Sequence, residues 1–170
     1  MTEYDVGFEE LIKKLKQSFS EKEIEKISKA YDIANEAHKN QRRRSGEPYI
    51  IHPVAVAKIL CDMGMDVDSL CAALLHDVVE DTEITLDDLR KEGFPEEVIE
   101  ALSLMTHADG VPYDDYIKAL KTNPIAVKVK LADLTHNSNP DRLETIDERM
   151  LQRFEKYKRA KEFLLGKNEL

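Results

Sequence analysis

Apolar residues recur every three or four positions along most of this chain, and the polar stretches between them carry Pro, Gly, Ser and Asn. That period places the apolar side chains on one face of a helix. Ile24, Ile27, Tyr31 and Ala34 form one such stripe behind Ser20-Glu21-Lys22-Glu23. The latter reads as a capping box, in which the Ser hydroxyl and the Glu carboxylate each satisfy a free amide. Asn40 to Pro48 is a polar loop broken by Gly46 and Pro48. Pro53 opens a helix with Val54, Val56, Ile59 and Leu60 that stops at Gly64. Asp68 or Ser69 caps the next, which continues through Leu70, Ala73, Leu74, Leu75 and Val78.

Thr85-Leu86-Asp87-Asp88 starts a short helix ending before Gly93, and another begins near Pro95 with Val98, Ile99, Leu102 and Met105. The loop His107 to Pro112 leads to a short helix around Tyr116 and Leu120. Pro124 opens a helix through Val127, Val129 and Leu131, and a last one covers about 147–165. Val127 to Leu131 also alternates as a strand does, but no segment is a persuasive strand. The expected fold is all-α: a single-domain bundle of about eight helices over residues 1–170, with no repeat, low-complexity stretch or linker.

Composition narrows the function. The chain has 170 residues, 42% hydrophobic and 35% charged, which is globular and large enough for a buried core. Its net charge of −9 makes it a poor general partner for nucleic acid or an anionic membrane. A polyanion would have to be drawn in by a local basic cluster or a metal. The start, Met1-Thr2-Glu3-Tyr4-Asp5, has neither the basic flank nor the apolar stretch of a secretory signal. Apolar runs such as Val54 to Ala57 fall far short of the ~20 residues that span a bilayer. Cys61 and Cys71 read as free buried thiols in a reducing compartment, so the expected location is the cytoplasm.

The chemistry lies in four pieces that put metal-ligand side chains on apolar helices: His52, His76-Asp77, Glu80-Asp81 and Asp133. A buried carboxylate must be paired or bound to a cation, because desolvation penalises its charge. Two His and two Asp suit a borderline divalent ion and leave positions open for water and a substrate oxygen. Glu80 follows His76 by one turn and Asp81 follows Asp77 by one turn, so both acids are expected on the side of the His-Asp pair. Taken singly, each of these residues has a plainer reading, as a core histidine, a surface pair or a local cap. Lys39, Arg42, Arg43 and Arg44 form the densest basic cluster, eight residues before His52. A guanidinium stacks on a purine or takes a phosphate through two bonds, so the cluster reads as a substrate entrance.

The run Gln41-Arg42-Arg43-Arg44-Ser45-Gly46-Glu47-Pro48-Tyr49-Ile50-Ile51-His52-Pro53 resembles the signature loop of RelA/SpoT-type alarmone hydrolase domains. His76-Asp77-Val78-Val79-Glu80-Asp81-Thr82 resembles their central HD motif, and Lys130-Leu131-Ala132-Asp133 with His136-Asn137 their closing motif. The resemblance implies an HD-domain helical bundle, with its motif-bearing core at about 24–140, holding one Mn²⁺ through His52, His76, Asp77 and Asp133. Fe²⁺, Zn²⁺ or Mg²⁺ are alternatives. It also implies that Glu80 and Asp81 orient or deprotonate the attacking water. Arg43, Arg44, Ser45 and Asn137 would contact the nucleotide, Arg43 at the base and Arg44 near phosphate. The implied reaction removes the 3′-pyrophosphate of guanosine tetra- or pentaphosphate.

Departures fall in the closing motif. Leu134 stands where the family carries Arg, and Asn139-Pro140 replaces its basic-Thr pair. These leave a second reading open, the same chemistry on another phosphate ester, and a third, a nucleotide sensor without turnover. His136 is expected as a partner of a ligand rather than a ligand, and Tyr113 and Tyr116 as packing. No stretch remains for a nucleotide-synthesising domain, so hydrolysis alone is expected. The spacing does not decide between Glu80 and Asp81 as general base, nor the oligomeric state.

Overall fold

The computed structural model describes residues 3–138 and 147–170, so the altered pair Asn139-Pro140 lies outside the described residues. Ten helices occur among them: α1 (Glu3–Leu15), α2 (Glu21–Ala37), α3 (Ile51–Asp62), α4 (Val67–Leu75), α5 (Val78–Asp81), α6 (Leu86–Lys91), α7 (Glu96–Met105), α8 (Tyr113–Leu120), α9 (Pro124–Asn137) and α10 (Glu148–Leu164). The architecture is all-α, and the strand-like alternation of Val127 to Leu131 is helical. There Asn123 caps the amide of Ala126 and Pro124 opens α9. Those start signals outweigh five alternating residues.

α4 is the central helix, packed against α2, α3, α7 and α9. Leu70 to Leu75 are all buried, the pattern of a helix enclosed on every side. Its cap is Asp66, whose carboxylate accepts from the Ser69 amide at 3.0 Å, rather than the expected Asp68 or Ser69. The expected continuation to Val78 also fails: regular helix stops at Leu75 and a separate turn, α5, begins at Val78. The break has a cause in the side chains. His76 Nδ1 hydrogen-bonds the Ala73 carbonyl at 2.6 Å, and Asp77 takes φ −102° and ψ −4°, a sparsely populated conformation common at active sites.

Two further differences position the site. α3 begins at Ile51, two residues before Pro53, because a first-turn proline gives up an amide that has no helical partner anyway. This puts His52 inside the helix rather than ahead of it. α1 lies outside the expected set; it buries Leu11 and Leu15, packs on α3, and stacks Phe8 on Tyr31 at 3.6 Å. α10 packs on α8 and α9. Lys121 Nζ donates to the Phe163 carbonyl at 3.0 Å, and Lys161 Nζ donates to Thr135 Oγ1 at 2.9 Å.

Candidate metal centre

His52 from α3, His76 and Asp77 from the α4–α5 junction, and Asp133 from α9 come together at the middle of the bundle. His52, His76 and Asp77 each offer a ligand atom within 4.8 Å of the others. Asp133 Oδ1 lies 2.7 Å from His52 Nε2 and 3.4 Å from His76 Nε2. Asp77 Oδ2 lies 3.0 Å from His76 Nε2 and 3.8 Å from His52 Nε2. An ion held at roughly 2.0–2.2 Å by nitrogen and carboxylate oxygen separates neighbouring ligand atoms by roughly 3–3.5 Å. The four side chains bracket that spacing.

The donor chemistry fits a cation. A carbonyl only accepts, so the bond to Ala73 fixes the Nδ1–H form of His76 and turns Nε2 toward the carboxylates. That Nε2 is buried and makes no hydrogen bond. Burial opposes a positive charge on His76, yet Asp77 and Asp133 outweigh it and raise its pKa well above the ordinary value. The centre therefore demands positive charge at this point, which a proton or a metal ion supplies. Burial likewise opposes charge on Asp77 and Asp133, but His76 lowers the first, and Lys130 with the imidazoles holds the second well below the carboxylate range. His52 is the exception: burial dominates and lowers its pKa, which keeps the ring neutral, as a metal ligand must be.

A second layer orients these groups. His136 Nδ1 meets His52 Nδ1 at 2.7 Å, which makes His136 the hydrogen-bond partner of His52. Tyr49 donates to Asp77 Oδ2 at 2.5 Å, and Asn137 Nδ2 donates to Asp133 Oδ1 at 3.1 Å. Glu80 and Asp81 stand at the exposed rim and diverge. Glu80 Oε1 accepts the His107 amide at 3.1 Å, and Asp81 Oδ2 lies 3.4 Å from its donor, Gln41 Nε2. The pKa of each is raised, by partial burial first and then by the charge of Asp77. His38, the buried end of α2, supports this side by bonding Gln41 Oε1 through Nδ1 at 2.8 Å.

The basic loop is a tight turn. Arg42 bridges Pro48, Arg43 N donates to the Glu47 carbonyl at 2.9 Å, and Gly46 at φ +90° closes it. A glycine is needed there because other residues rarely adopt that conformation. The turn forms one wall of a pocket of about 280 Å³ with Arg42, Arg43, Arg44, Ser45, Tyr49 and Asn137. Arg43 Nη2 donates to Asn137 Oδ1 at 2.8 Å. Tyr49 and Asn137 thus belong both to the pocket wall and to the shell around Asp77 and Asp133. The rest of its lining comes from α10, through Met150, Arg153, Phe154 and Tyr157. The sequence reading missed these four. Arg153 and Tyr157 share a helical face, but nothing local says that the face meets the arginine turn. Among the described residues no acidic side chain lines the pocket, so they concentrate positive charge there on a net-negative protein.

A helical bundle whose histidines and aspartates gather in this way has the makings of a metal-binding centre. The HD-domain family model matches residues 30–115, half of the chain, and the protein belongs to that family. Among curated proteins, it is 39% identical over 141 residues to the bifunctional (p)ppGpp synthase/hydrolase SpoT of Escherichia coli (strain K12), covering 76% of this chain and 20% of that protein. It is 38% identical over 138 residues to the probable GTP pyrophosphokinase of Mycobacterium leprae, covering 76% and 17%. The chain spans about a fifth of the length of these relatives. The solved structure of a metazoan SpoT orthologue that hydrolyses ppGpp superposes with a TM-score of 0.72 at 29% identity, over 84% of this chain and 87% of that one. No helix among the described residues is long and apolar enough to cross a membrane.

Proposed function

We propose that this protein is a metal-dependent phosphohydrolase that removes the 3′-pyrophosphate of guanosine tetra- or pentaphosphate, with Mn²⁺ as its ion. One observation carries the reading: a cation-demanding His/Asp centre shares two wall residues, Tyr49 and Asn137, with a pocket lined by four arginines. The likeness to a metazoan enzyme that hydrolyses ppGpp supports the choice of substrate. His52, His76, Asp77 and Asp133 would hold the ion. When bound, it supplies Lewis-acid polarisation of a phosphoryl oxygen and acidifies water, worth several kcal/mol of barrier.

The remaining steps belong to the chain's own residues. Arg43, Arg44 and Arg153 meet phosphate and purine, with Ser45 and Asn137 beside them, and Phe154 and Tyr157 give an apolar face for the base. Glu80 or Asp81 takes the proton from the attacking water. The new water-oxygen to phosphorus bond forms as the ribose 3′-oxygen to phosphorus bond breaks; the 3′-oxygen takes up a proton from solvent, leaving pyrophosphate with GDP from the tetraphosphate or GTP from the pentaphosphate. Raised pKa values suit these two acids as bases, since a base too weak in proton affinity transfers little. Their presence argues against a sensor without turnover, because binding alone needs no proton acceptor. The free thiols Cys61 and Cys71 accord with a cytoplasmic, reducing setting.

The test is direct. Purified protein with Mn²⁺ and ppGpp should release pyrophosphate and GDP, separable by ion-exchange chromatography, and H76A or D77A should abolish release. Intact ppGpp after prolonged incubation with metal-loaded protein refutes the substrate. A panel of other 3′-phosphorylated nucleotides then shows whether the phosphohydrolase reading survives without it.

A further inference from the structure

Lys130 adjoins the candidate ligands, and the mechanism above leaves it unused. Its side chain is only 13% exposed, unusual burial for a lysine, and it stands one turn before Asp133 on α9. Nζ donates to Asp133 Oδ2 at 3.0 Å and lies 5.2 Å from the centre of the Tyr116 ring. That ring is itself fixed, its hydroxyl on the Met105 carbonyl at 2.7 Å and the His107 ring stacked on it at 4.5 Å. An enclosed ammonium therefore sits on one oxygen of Asp133. The other, Oδ1, carries a neutral donor instead of a charge, the Asn137 amide at 3.1 Å, and faces His52 Nε2 at 2.7 Å and His76 Nε2 at 3.4 Å. A carboxylate with both oxygens free can chelate a divalent ion and take two of its coordination positions. With a positive charge held on Oδ2, which repels a cation there, Asp133 has one oxygen to give.

We infer that Lys130 is a positioning residue that restricts Asp133 to single-oxygen coordination, and so keeps one position on the bound ion free for water or a substrate oxygen. The inference rests on the ligand set proposed above. Lys130 does not line the arginine pocket, so it acts through Asp133 and leaves substrate affinity alone. Its charge also repels the ion it sits beside. Removing the lysine should therefore leave the ion bound at least as tightly while slowing turnover. A side chain that merely supported the fold would weaken both.

The experiment compares wild type, K130M and K130Q, each loaded with Mn²⁺. Mn²⁺ affinity is read by electron paramagnetic resonance titration, exchangeable waters by water-proton relaxation, and kcat and KM with ppGpp. K130M should bind Mn²⁺ no more weakly than wild type, lose one exchangeable water, and show kcat lowered by about 10–100-fold at unchanged KM. K130Q, whose amide can still donate to Oδ2, should keep the wild-type water number. An unchanged water number in K130M, or Mn²⁺ binding weakened tenfold or more, overturns the inference. Wild-type protein that binds no Mn²⁺ overturns the ligand set and this inference with it. Should K130M fail to fold, a Mn²⁺-loaded wild-type crystal decides: coordination through Oδ1 alone is expected, and chelation through both oxygens contradicts it.

Discussion

At the scale of single residues, the centre is a set of charges that only make sense together. His76 has a buried nitrogen without a hydrogen bond, and the two carboxylates beside it stay ionised against the cost of burial. Glu80 and Asp81 differ from these three in being exposed. Both pKa values are raised from the ordinary carboxylate value, since burial and the charge of Asp77 oppose ionisation. The base must be unprotonated to accept a proton, so activity should fall as pH drops through that raised value, earlier than for a free carboxylate near 4. E80Q or D81N, whichever removes the base, should lower kcat by about 10²–10⁴-fold and abolish the acid limb of the rate profile. Two amide variants that both keep full rate and the acid limb would contradict the assignment. The residue types at the centre were legible in the sequence because a His-Asp pair on an apolar helix is costly without a partner. The divergence of the two acids was not. It depends on His107 and Gln41, which approach from loops distant in sequence.

At the scale of elements, caps and breaks decide what the ligands face. The end of α4 at Leu75 could not be read from punctuation, since neither Gly nor Pro marks it; an imidazole on the Ala73 carbonyl does the work instead. The other end of α4 depends on Asp66. D66A should destabilise the protein by about 1 kcal/mol in urea unfolding, with Mn²⁺ affinity unaltered. A loss of Mn²⁺ binding would show that the cap also sets the site. α10 was expected as a helix at about 147–165 and is one at Glu148–Leu164, but its role was invisible locally. Only packing on α8 and α9 carries Arg153 and Tyr157 to the pocket. R153A should raise KM for ppGpp about tenfold, the order of one charge-assisted hydrogen bond, and leave Mn²⁺ affinity as it was. An unchanged KM would remove α10 from the substrate site.

At the scale of the whole molecule, a central apolar helix lets three separated segments deliver ligands to one point. The all-helical class was legible from periodicity alone, whereas α1 was passed over although Phe8, Leu11, Ile12 and Leu15 keep the helical spacing. A centre drawn from α3, α9 and the α4–α5 junction would, on the ligand set proposed above, tie folding to metal binding. At free Mn²⁺ a hundred times Kd, the native state gains about 2.7 kcal/mol, which for a chain of this size raises Tm by roughly 5–10 °C. Calorimetry should show that rise for wild type and lose it in D133A.

The convergence of four side chains on one ion is tested most directly by anomalous diffraction at the manganese edge from crystals soaked in Mn²⁺. One strong peak bounded by His52 Nε2, His76 Nε2, Asp77 and Asp133 Oδ1 is the predicted result. No peak there, or those groups turned away from a peak elsewhere, would contradict it.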